Sequence, residues 1–260
     1  MGVKALKNLS CIYMLLIFAF LYVPIIIVVI YSFNSSKSSA IWAGFTMDWY
    51  VKLMNDDNVL IAIKNSFTVA IISTFISSVI GTIGAVGLHR YKFKGKNAVN
   101  LLLYIPIVIP EIIMGISLLI YFSLLKVDFG ITTLVISHTT FCIPFVLINV
   151  KARLADFDSS IEEAAMDLGA NNFIVFKTIT LPIIFPAVIS GAMLVFALSL
   201  DDIIINFFVG GPESTTLPIK IFSMLRFGLS GEINALCTIM LIITFLVLII
   251  SQTIKVSLKK

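Results

Sequence analysis

Six long apolar runs dominate the chain, each close to the roughly 20 residues that an α-helix needs to cross a bilayer. Of the 260 residues, 59% are hydrophobic and only 12% are charged, whereas a soluble domain of this size needs far more polar surface. Transmembrane barrels show shorter alternating segments of about 10 residues, a pattern absent here. The sequence therefore predicts an all-α membrane protein with six transmembrane helices. The predicted spans are Cys11–Phe33, Ser66–Leu88, Val99–Leu124, Ile131–Val150, Ile183–Val209 and Ile233–Ile254.

Basic residues orient these spans. With the N-terminus inside, 12 of the 18 Lys and Arg residues fall in cytoplasmic segments and six fall outside. The basic cluster His89–Lys96 is the strongest indication, because short loops next to spans dominate the positive-inside bias. We therefore expect a multi-pass protein with both termini in the cytoplasm. The net charge of +4 follows from this topology and does not indicate nucleic-acid binding.

Two of the predicted outside segments are longer than simple turns. Asn34–Asn65 contains Met47–Met54, whose aromatic and aliphatic residues predict a short helix at the membrane interface. Gly210–Glu232 carries two glycines followed by proline and, further on, Leu217-Pro218. These residues predict a re-entrant or surface loop rather than a span.

The segment between the fourth and fifth spans, Lys151–Pro182, has helix signals of its own and is called the 151–182 loop below. Ile161–Leu168 forms a good helix with acidic residues near its N-terminal end, and Gly169 follows as a C-terminal cap. A second short helix starts at Asn171 or Asn172, and we expect the closing proline of the loop to break it before the next span. The prediction is a helix, a glycine corner and a helix. An amphipathic loop of this kind can also simply lie on lipid headgroups.

The spacing of residues within this loop resembles a known signature. The matching residues are Glu163-Ala164-Ala165, Gly169 and Ile179-x-Leu181-Pro182. They resemble the EAA motif of ABC importer permeases. The resemblance implies that this loop, including Glu162, is a coupling helix that docks into a cleft of a cytoplasmic ATPase. Alanines in the motif allow close approach to a partner, and Gly169 supplies a sharp turn.

The likeness extends over essentially the whole chain. The segments that carry it are Tyr91–Lys96, Phe141–Phe145, Leu198–Asp202, Gly211-Pro212, Leu217–Met224 and Glu232–Leu236. They resemble the spermidine/putrescine ABC transporter permeases of the PotC type. This resemblance implies a type I, MetI-like importer architecture in a bacterial cytoplasmic membrane. It also implies one permease domain over residues 1–260, with a core at about 66–255.

Three carboxylates, Glu111, Asp201 and Asp202, fall inside predicted spans, where an ionised side chain costs at least about 2.5–3.5 kcal/mol. No span has a Lys or Arg deep in its interior, so we expect no internal salt bridge, and a cationic substrate would supply the missing charge. Glu111 follows Pro106 and Pro110, which loosen the helix and free backbone carbonyls. The alternative for Glu111 is a protonated carboxyl bonded to a neighbouring helix. On a helix the two aspartates point about 100° apart, so they converge only if the helix unwinds.

The family resemblance implies that Glu111, Ser199, Asp201 and Asp202 handle the substrate during passage. The family usually has an aspartate at the position of Glu111, so the charge is kept while the reach of the carboxylate changes. Trp49 matches a tryptophan of the family in the outer loop. It is either an interfacial anchor or a substrate contact, since aromatic faces attract ammonium ions.

Motifs for chemistry are absent from the sequence. There is no nucleotide-binding loop of the Gly-x-x-x-x-Gly-Lys-Ser/Thr type, and no nucleophile–base pair or metal constellation. Cys11, Cys142 and Cys237 lie in different apolar runs and are interpreted as packed small side chains. We therefore expect a transport subunit that is not an enzyme and binds no cofactor, with ATP and magnesium used by a partner ATPase.

The expected partners follow from this interpretation. They are a cytoplasmic ATPase dimer, a second homologous permease of the PotB type, an external polyamine-binding protein of the PotD type and the lipid bilayer. Two alternatives stay open. One is an EAA-type permease for another solute such as iron, molybdate, sulfate or an amino acid, although anion paths favour basic groups. The other is a proton-coupled secondary transporter, in which the EAA-like loop would have no purpose.

Overall fold

The computed structural model describes residues 2–36, 41–226, 228 and 230–257. Within these residues the chain is helical apart from turns, short connections and one isolated β-bridge between Asn34 and Phe45. The helices are α1 (Gly2–Tyr31), α2 (Asp48–Met54), α3 (Asp57–Arg90), α4 (Lys96–Val108), α5 (Glu111–Leu124), α6 (Ile131–Ala155), α7 (Ser160–Asp167), α8 (Asn172–Val175), α9 (Leu181–Asp201), α10 (Ile204–Val209), α11 (Leu217–Leu225) and α12 (Gly231–Ser257). A π-helical segment, Phe176–Thr180, joins α8 to α9.

The chain divides into two compact units. The first comprises Met1–Leu60 and Ile221–Ile243, and the second comprises Ile61–Lys220 and Thr244–Lys260. The main buried hydrophobic cluster belongs to the second unit, where α6 packs against α4, α9 and α10. In the first unit, packed aromatic rings link the chain after α1 to α2 and the segment before it, with Phe33 stacked on Phe45 and tilted against Tyr50.

Four helical stretches among the described residues are long and apolar enough to cross a membrane. They are Ser10–Tyr31, Asp57–Arg90, Ile131–Ala155 and Asn172–Asp201. A fifth candidate is the pair formed by α4 and α5, and the apolar part of α12, Gly231–Val247, is shorter than a span. The all-α membrane class is therefore confirmed. The count among the described residues is four or five, so the six predicted spans are matched only in part.

The predicted span Val99–Leu124 is broken in the middle. Ile109 and Pro110 are both extended, and α4 and α5 meet at 105°. Proline has no N–H to donate and pushes the preceding residue out of the helical region, so Pro110 ends one helix and starts the next. The sequence predicted a helix loosened by prolines here, and the structure goes further by dividing it into two helices. The break leaves Glu111 in the first turn of α5.

The predicted span Ile183–Val209 differs at both ends. The closing proline of the 151–182 loop, Pro182, does not break the helix. The helical stretch runs through it from Asn172 to Asp201. The widened π-helical turn lies immediately before the proline, where an ordinary helix would lose a hydrogen bond and clash with the ring. At the other end α9 stops at Asp201, since Asp202 is extended with φ −67° and ψ 126°. Residues 204–209 form the separate helix α10.

Glycines let α6 approach its neighbours closely. A Cβ at Gly81 of α3 would lie 2.9 Å from Cβ of Val146, and one at Gly191 of α9 would lie 3.2 Å from Cα of the same valine. Small residues at such contacts are the usual means by which membrane helices pack tightly. Val146 of α6 is therefore held between two glycine-bearing helices.

Replacing Gly81 by valine should destabilise the second unit. The new side chain meets Val146 and the carbonyl oxygen of Ile143, and overpacking of this kind costs about 1–3 kcal/mol. We expect a lower midpoint temperature of thermal unfolding in detergent for Gly81→Val. Gly87→Val in the same helix is the matched control, because its Cβ meets no atom within 4 Å. Equal shifts for the two variants would contradict the close packing.

Candidate functional site

The end of α9 separates two adjacent aspartates. Asp201 is the last residue of the helix and its side chain is exposed, whereas Asp202 lies in the extended connection to α10. The carboxylate of Asp202 accepts hydrogen bonds from the backbone N–H groups of Ile205 (3.3 Å) and Asn206 (3.0 Å). It therefore caps the N-terminus of α10, where negative charge is favoured.

A buried histidine holds the same carboxylate. Nε2 of His138 in α6 lies 3.5 Å from Oδ2 of Asp202, and the two side chains are 1% and 6% exposed. The sequence predicted no Lys or Arg partner for these carboxylates, and the polar neighbour that the structure gives Asp202 is a histidine. The two residues are 64 positions apart in the sequence, so no local pattern reveals their contact. The available signal was a lone histidine inside an apolar run, which needs a polar partner when buried.

A cavity of about 460 Å³ opens at the break in α9. Its lining residues are Glu111, Phe141, Leu194, Ala197, Leu198, Asp201, Asp202, Ile203, Ile204 and Thr244. Its volume is within the range of small-molecule sites. All three carboxylates that the sequence singled out are present, and none of these ten residues is basic. The unwinding of the helix, on which convergence of the two aspartates depended, is what brings them to one cavity.

The electrostatics of this cavity favour cations. Glu111 starts α5 and lies within electrostatic reach of Asp202 and Asp201, so the three negative charges repel one another. The side chains of Glu111 and Asp201 are exposed to the cavity side of the break, whereas Asp202 is occupied by the α10 cap and by His138. Two carboxylates are therefore available to a ligand, and the third adds to the field.

Two residues that the family resemblance implied are not in the cavity lining. Ser199 is buried, with its hydroxyl 2.7 Å from Nδ1 of His138 and 3.3 Å from the hydroxyl of Ser73. Trp49 belongs to the first unit, where its indole N–H donates to the carbonyl oxygen of Asn34 at 2.8 Å and its ring covers Gly231. The structure thus brings together Glu111, Asp201 and Asp202 and places Ser199 behind them.

The 151–182 loop folds as the sequence predicted. Helix α7 ends before Gly169, whose φ of +90° is a left-handed conformation that glycine adopts without strain. Asn171 then caps α8 by accepting the N–H of Ile174 at 2.9 Å. The helix–glycine corner–helix prediction is confirmed.

An ion pair fixes this loop to the end of α3. Nη2 of Arg90 donates to Oε1 of Glu162 at 2.6 Å and to the hydroxyl of Thr180 at 2.8 Å, and Thr180 donates to the same glutamate. Burial alone would raise the pKa of Glu162, but the hydrogen bonds from Arg90 and Thr180 hold that pKa below its ordinary value. Glu162 is therefore committed to a contact within the chain.

The opposite face of the loop is open. Glu163 and Ala164 of the EAA-like motif are exposed, and Ala165 is half-buried. Large apolar side chains are exposed beside them, with Leu168 at 90% and Phe173 at 70%. Leu181 and Pro182 instead belong to the first turn of α9. An exposed apolar cluster next to carboxylates is typical of a surface that meets another protein.

Long apolar helices, an acidic cavity at a helix break and an exposed loop with an EAA-like motif define a helical membrane transport subunit. A family model described as "binding-protein-dependent transport system inner membrane component" matches residues 77–257. The chain belongs to this family of membrane permeases, whose members are transport subunits and not enzymes.

Relatives of known name agree with this assignment. The chain is 46% identical to the spermidine/putrescine transport system permease protein PotC of Escherichia coli (strain K12), over 93% of this chain and 92% of the relative. It is also 46% identical to the putrescine transport system permease protein PotI of the same strain, over 88% of this chain and 84% of the relative. PotC of Haemophilus influenzae is 40% identical over 93% of this chain and 94% of the relative.

Solved structures share the fold. One belongs to a bacterial ABC transporter involved in the import of the acidic polysaccharide alginate, with a TM-score of 0.77, 18% identity and 99% of both chains covered. Another is the MetNI methionine ABC transporter in an inward-facing conformation, with a TM-score of 0.66, 17% identity, and 83% of this chain and 100% of that chain covered. The architecture is therefore that of ABC importer permeases.

Removing the charge of Glu162 should loosen the 151–182 loop. Because its folded pKa is lowered, the ionised carboxylate stabilises the loop above the ordinary pKa of glutamate, and this contribution is lost as pH falls through the lowered pKa. Glu162→Gln weakens a charged hydrogen bond and should raise the exchange rate of the α7 amides by about tenfold or more at neutral pH. Hydrogen exchange with mass spectrometry measures this effect. Glu163→Gln, at an exposed neighbour, should leave exchange unchanged, and equal effects would contradict the pairing.

Proposed function

We propose that this chain is the permease subunit of an ATP-driven importer that carries polyamines, such as spermidine or putrescine, across a bacterial cytoplasmic membrane by alternating access. The observation that carries the proposal is the cavity at the α9 break, which is lined by three carboxylates and no basic residue among its ten lining residues. The 46% identity to permeases named for spermidine and putrescine transport supports the same substrate class.

The chemistry of the cavity suits a linear amine. Each primary ammonium group carries three N–H donors, and a carboxylate offers only acceptors. Glu111 and Asp201 come from different helices, so each can take a separate ammonium group while methylene segments lie against Phe141 and the aliphatic lining. Asp202 strengthens the negative field without leaving its cap. The bound ammonium groups would neutralise these acids and so offset the free-energy cost of placing carboxylates in a membrane.

The remaining residues of the predicted pathway have supporting roles in this proposal. Ser199 contacts the histidine that holds Asp202. Trp49 meets the substrate before it enters the membrane, where its ring attracts ammonium ions.

The complete importer needs partners beyond this chain. We propose that the chain forms a single permease domain with six spans in a type I, MetI-like arrangement and with both termini in the cytoplasm. In this arrangement the exposed face of the 151–182 loop binds a cytoplasmic ATPase dimer, which uses ATP and magnesium, while the permease itself binds no cofactor. A second PotB-like permease completes the pathway, and a PotD-like external protein delivers the polyamine. A solved relative of the fold is described in complex with a periplasmic protein that holds an alginate pentasaccharide.

Alternating access gives the loop a mechanical task. When ATP binding brings the two ATPase subunits together, the docked loops move with them, and the helices continuous with the loops follow. The stretch from Asn172 to Asp201 links α8 directly to the α9 break. Motion at the loop is therefore transmitted along one helix to the acidic cavity.

Neutralising either cavity carboxylate should strongly lower transport while the subunit remains assembled. We expect Glu111→Gln and Asp201→Asn each to lower ATP-dependent spermidine uptake by about tenfold or more, because each removes a charged hydrogen bond to the substrate. Glu111→Asp is the matched control, since it keeps the charge and should retain most of the uptake. Proteoliposomes containing the whole complex and radiolabelled spermidine provide the measurement. Uptake that survives Glu111→Gln combined with Asp201→Asn would contradict the assignment of these carboxylates.

Strain at the glycine corner should uncouple the ATPase. Gly169 has a φ of +90°, which a β-branched residue adopts at high cost whereas asparagine tolerates it. We expect Gly169→Val to insert into the membrane and yet to lose stimulation of ATP hydrolysis by the loaded binding protein. Gly169→Asn should keep most of that stimulation. If both variants are stimulated as strongly as the wild type, the loop does not couple to the ATPase.

A further inference from the structure

His138 lies where α6 meets three other helical segments, and it bonds with both ring nitrogens. It is 1% exposed and lies in a stretch apolar enough to cross the membrane. An imidazole at such a depth needs partners for both nitrogens. The positions of those partners connect His138 to the acidic cavity.

One ring nitrogen faces the start of α10. The amide Nδ2 of Asn206 donates to the carbonyl oxygen of Asp202, so its Oδ1 is turned toward His138, 3.0 Å from Nε2. The carboxylate of Asp202 lies 3.5 Å from the same nitrogen. Both neighbours of Nε2 accept hydrogen bonds, so Nε2 carries a proton and donates.

The other ring nitrogen faces α9 and α3. Nδ1 lies 2.7 Å from the hydroxyl of Ser199, which lies 3.3 Å from the hydroxyl of Ser73. Ser73 in turn donates to the backbone carbonyl of Val69 at 2.7 Å. The network thus ties α3 and α6 to both sides of the break, with Ser199 before it and Asp202 after it.

We propose that His138 is a positioning residue for substrate passage: it holds Asp202 in the α10 cap and thereby keeps α9 broken, with Asp201 turned toward the cavity. This inference rests on the proposed function of the cavity. If Asp202 is released, α9 can extend by further residues, and successive side chains on a helix are rotated by about 100°. Asp201 is already the last residue of α9, so the extension would move Ile203 and Ile204 of the cavity lining and close the opening in which Asp201 lies.

Two substitutions distinguish the contacts made by one ring nitrogen of His138 from those made by the other. Glutamine places its amide near the position of Nε2 and can still donate toward Asn206 and Asp202. Asparagine is shorter and reaches only toward Ser199. A role through Asp202 therefore predicts that His138→Gln is tolerated and His138→Asn is not, whereas general packing disfavours both.

Uptake of radiolabelled spermidine by proteoliposomes containing the whole complex tests this proposal. We expect His138→Asn to lower the maximal rate by about tenfold, because it removes the Nε2 hydrogen bond to Asn206 and the polar contact with Asp202, and His138→Gln to stay within about threefold of the wild type. The control is Ser137→Ala, because the Ser137 hydroxyl is buried and finds no hydrogen-bond partner among the described residues. It should stay within about twofold of the wild type. Equal losses for asparagine and glutamine would overturn the proposal.

Combining His138→Asn with Asp201→Asn shows whether the histidine acts through Asp201. If it does, the double variant is no worse than Asp201→Asn alone. A further multiplicative loss in the double variant would overturn the proposal. If Asp201→Asn alone leaves uptake intact, the proposed function of the cavity fails, and the position of residue 201 must be measured without transport.

Thiol labelling measures that position directly. With the three native cysteines replaced, Asp201→Cys places a thiol at the cavity, where a cationic methanethiosulfonate reagent can reach it. We expect His138→Asn to slow labelling by about tenfold and His138→Gln to leave the rate within about threefold, in proportion to the population of the broken helix. Labelling rates that are the same in all three backgrounds would overturn the positioning role whatever the uptake results show.

Discussion

The contact on which the acidic cavity depends is the one between the Asp202 carboxylate and the first turn of α10. Two backbone N–H groups of α10 donate to this carboxylate, and His138 holds it from behind. The first N–H groups of a helix have no partners within it, and the Asp202 carboxylate accepts from two of those of α10. With Asp202 in this position, the residue lies outside α9, and the helix ends at Asp201. The break and the exposed Asp201 lie at the same cavity.

Contacts at helix ends also explain how three acids coexist at one cavity. Asp202 is compensated by protein groups, Glu111 lies at the favourable N-terminal end of α5, and Asp201 has no basic residue beside it in the cavity lining. Both helix ends arise from breaks, one imposed by Pro110 and one by Asp202. Discontinuous helices at membrane depth are the usual way in which transporters build ion and substrate sites. The geometry of the cavity therefore depends on backbone groups as much as on side chains.

Part of the fold and part of the candidate site were predictable from the sequence. The apolar runs predicted the class, and the residues around Gly169 predicted both the helical corner and the family. The carboxylates of the cavity were found because charge in an apolar run is costly. The sequence did not locate the helix breaks, because a proline alone does not decide whether a helix ends. Pro110 ends its helix, whereas Pro182 is tolerated because a π-helical turn precedes it. The contact of His138 with Asp202 was missed because residues 64 positions apart leave no local pattern. The pairing of Arg90 with Glu162 is hidden for the same reason.

Zero-length cross-linking of a polyamine to the permease tests the central claim most directly. A water-soluble carbodiimide joins an amine to a carboxylate that it contacts, and mass spectrometry then locates the adduct in the complex during turnover with spermidine. Adducts at Glu111 and Asp201, with Asp202 unmodified because it is capped and buried, are the predicted result. Adducts that form at Asp202 in preference, or that are absent from Glu111 and Asp201 while forming at other carboxylates, would contradict it.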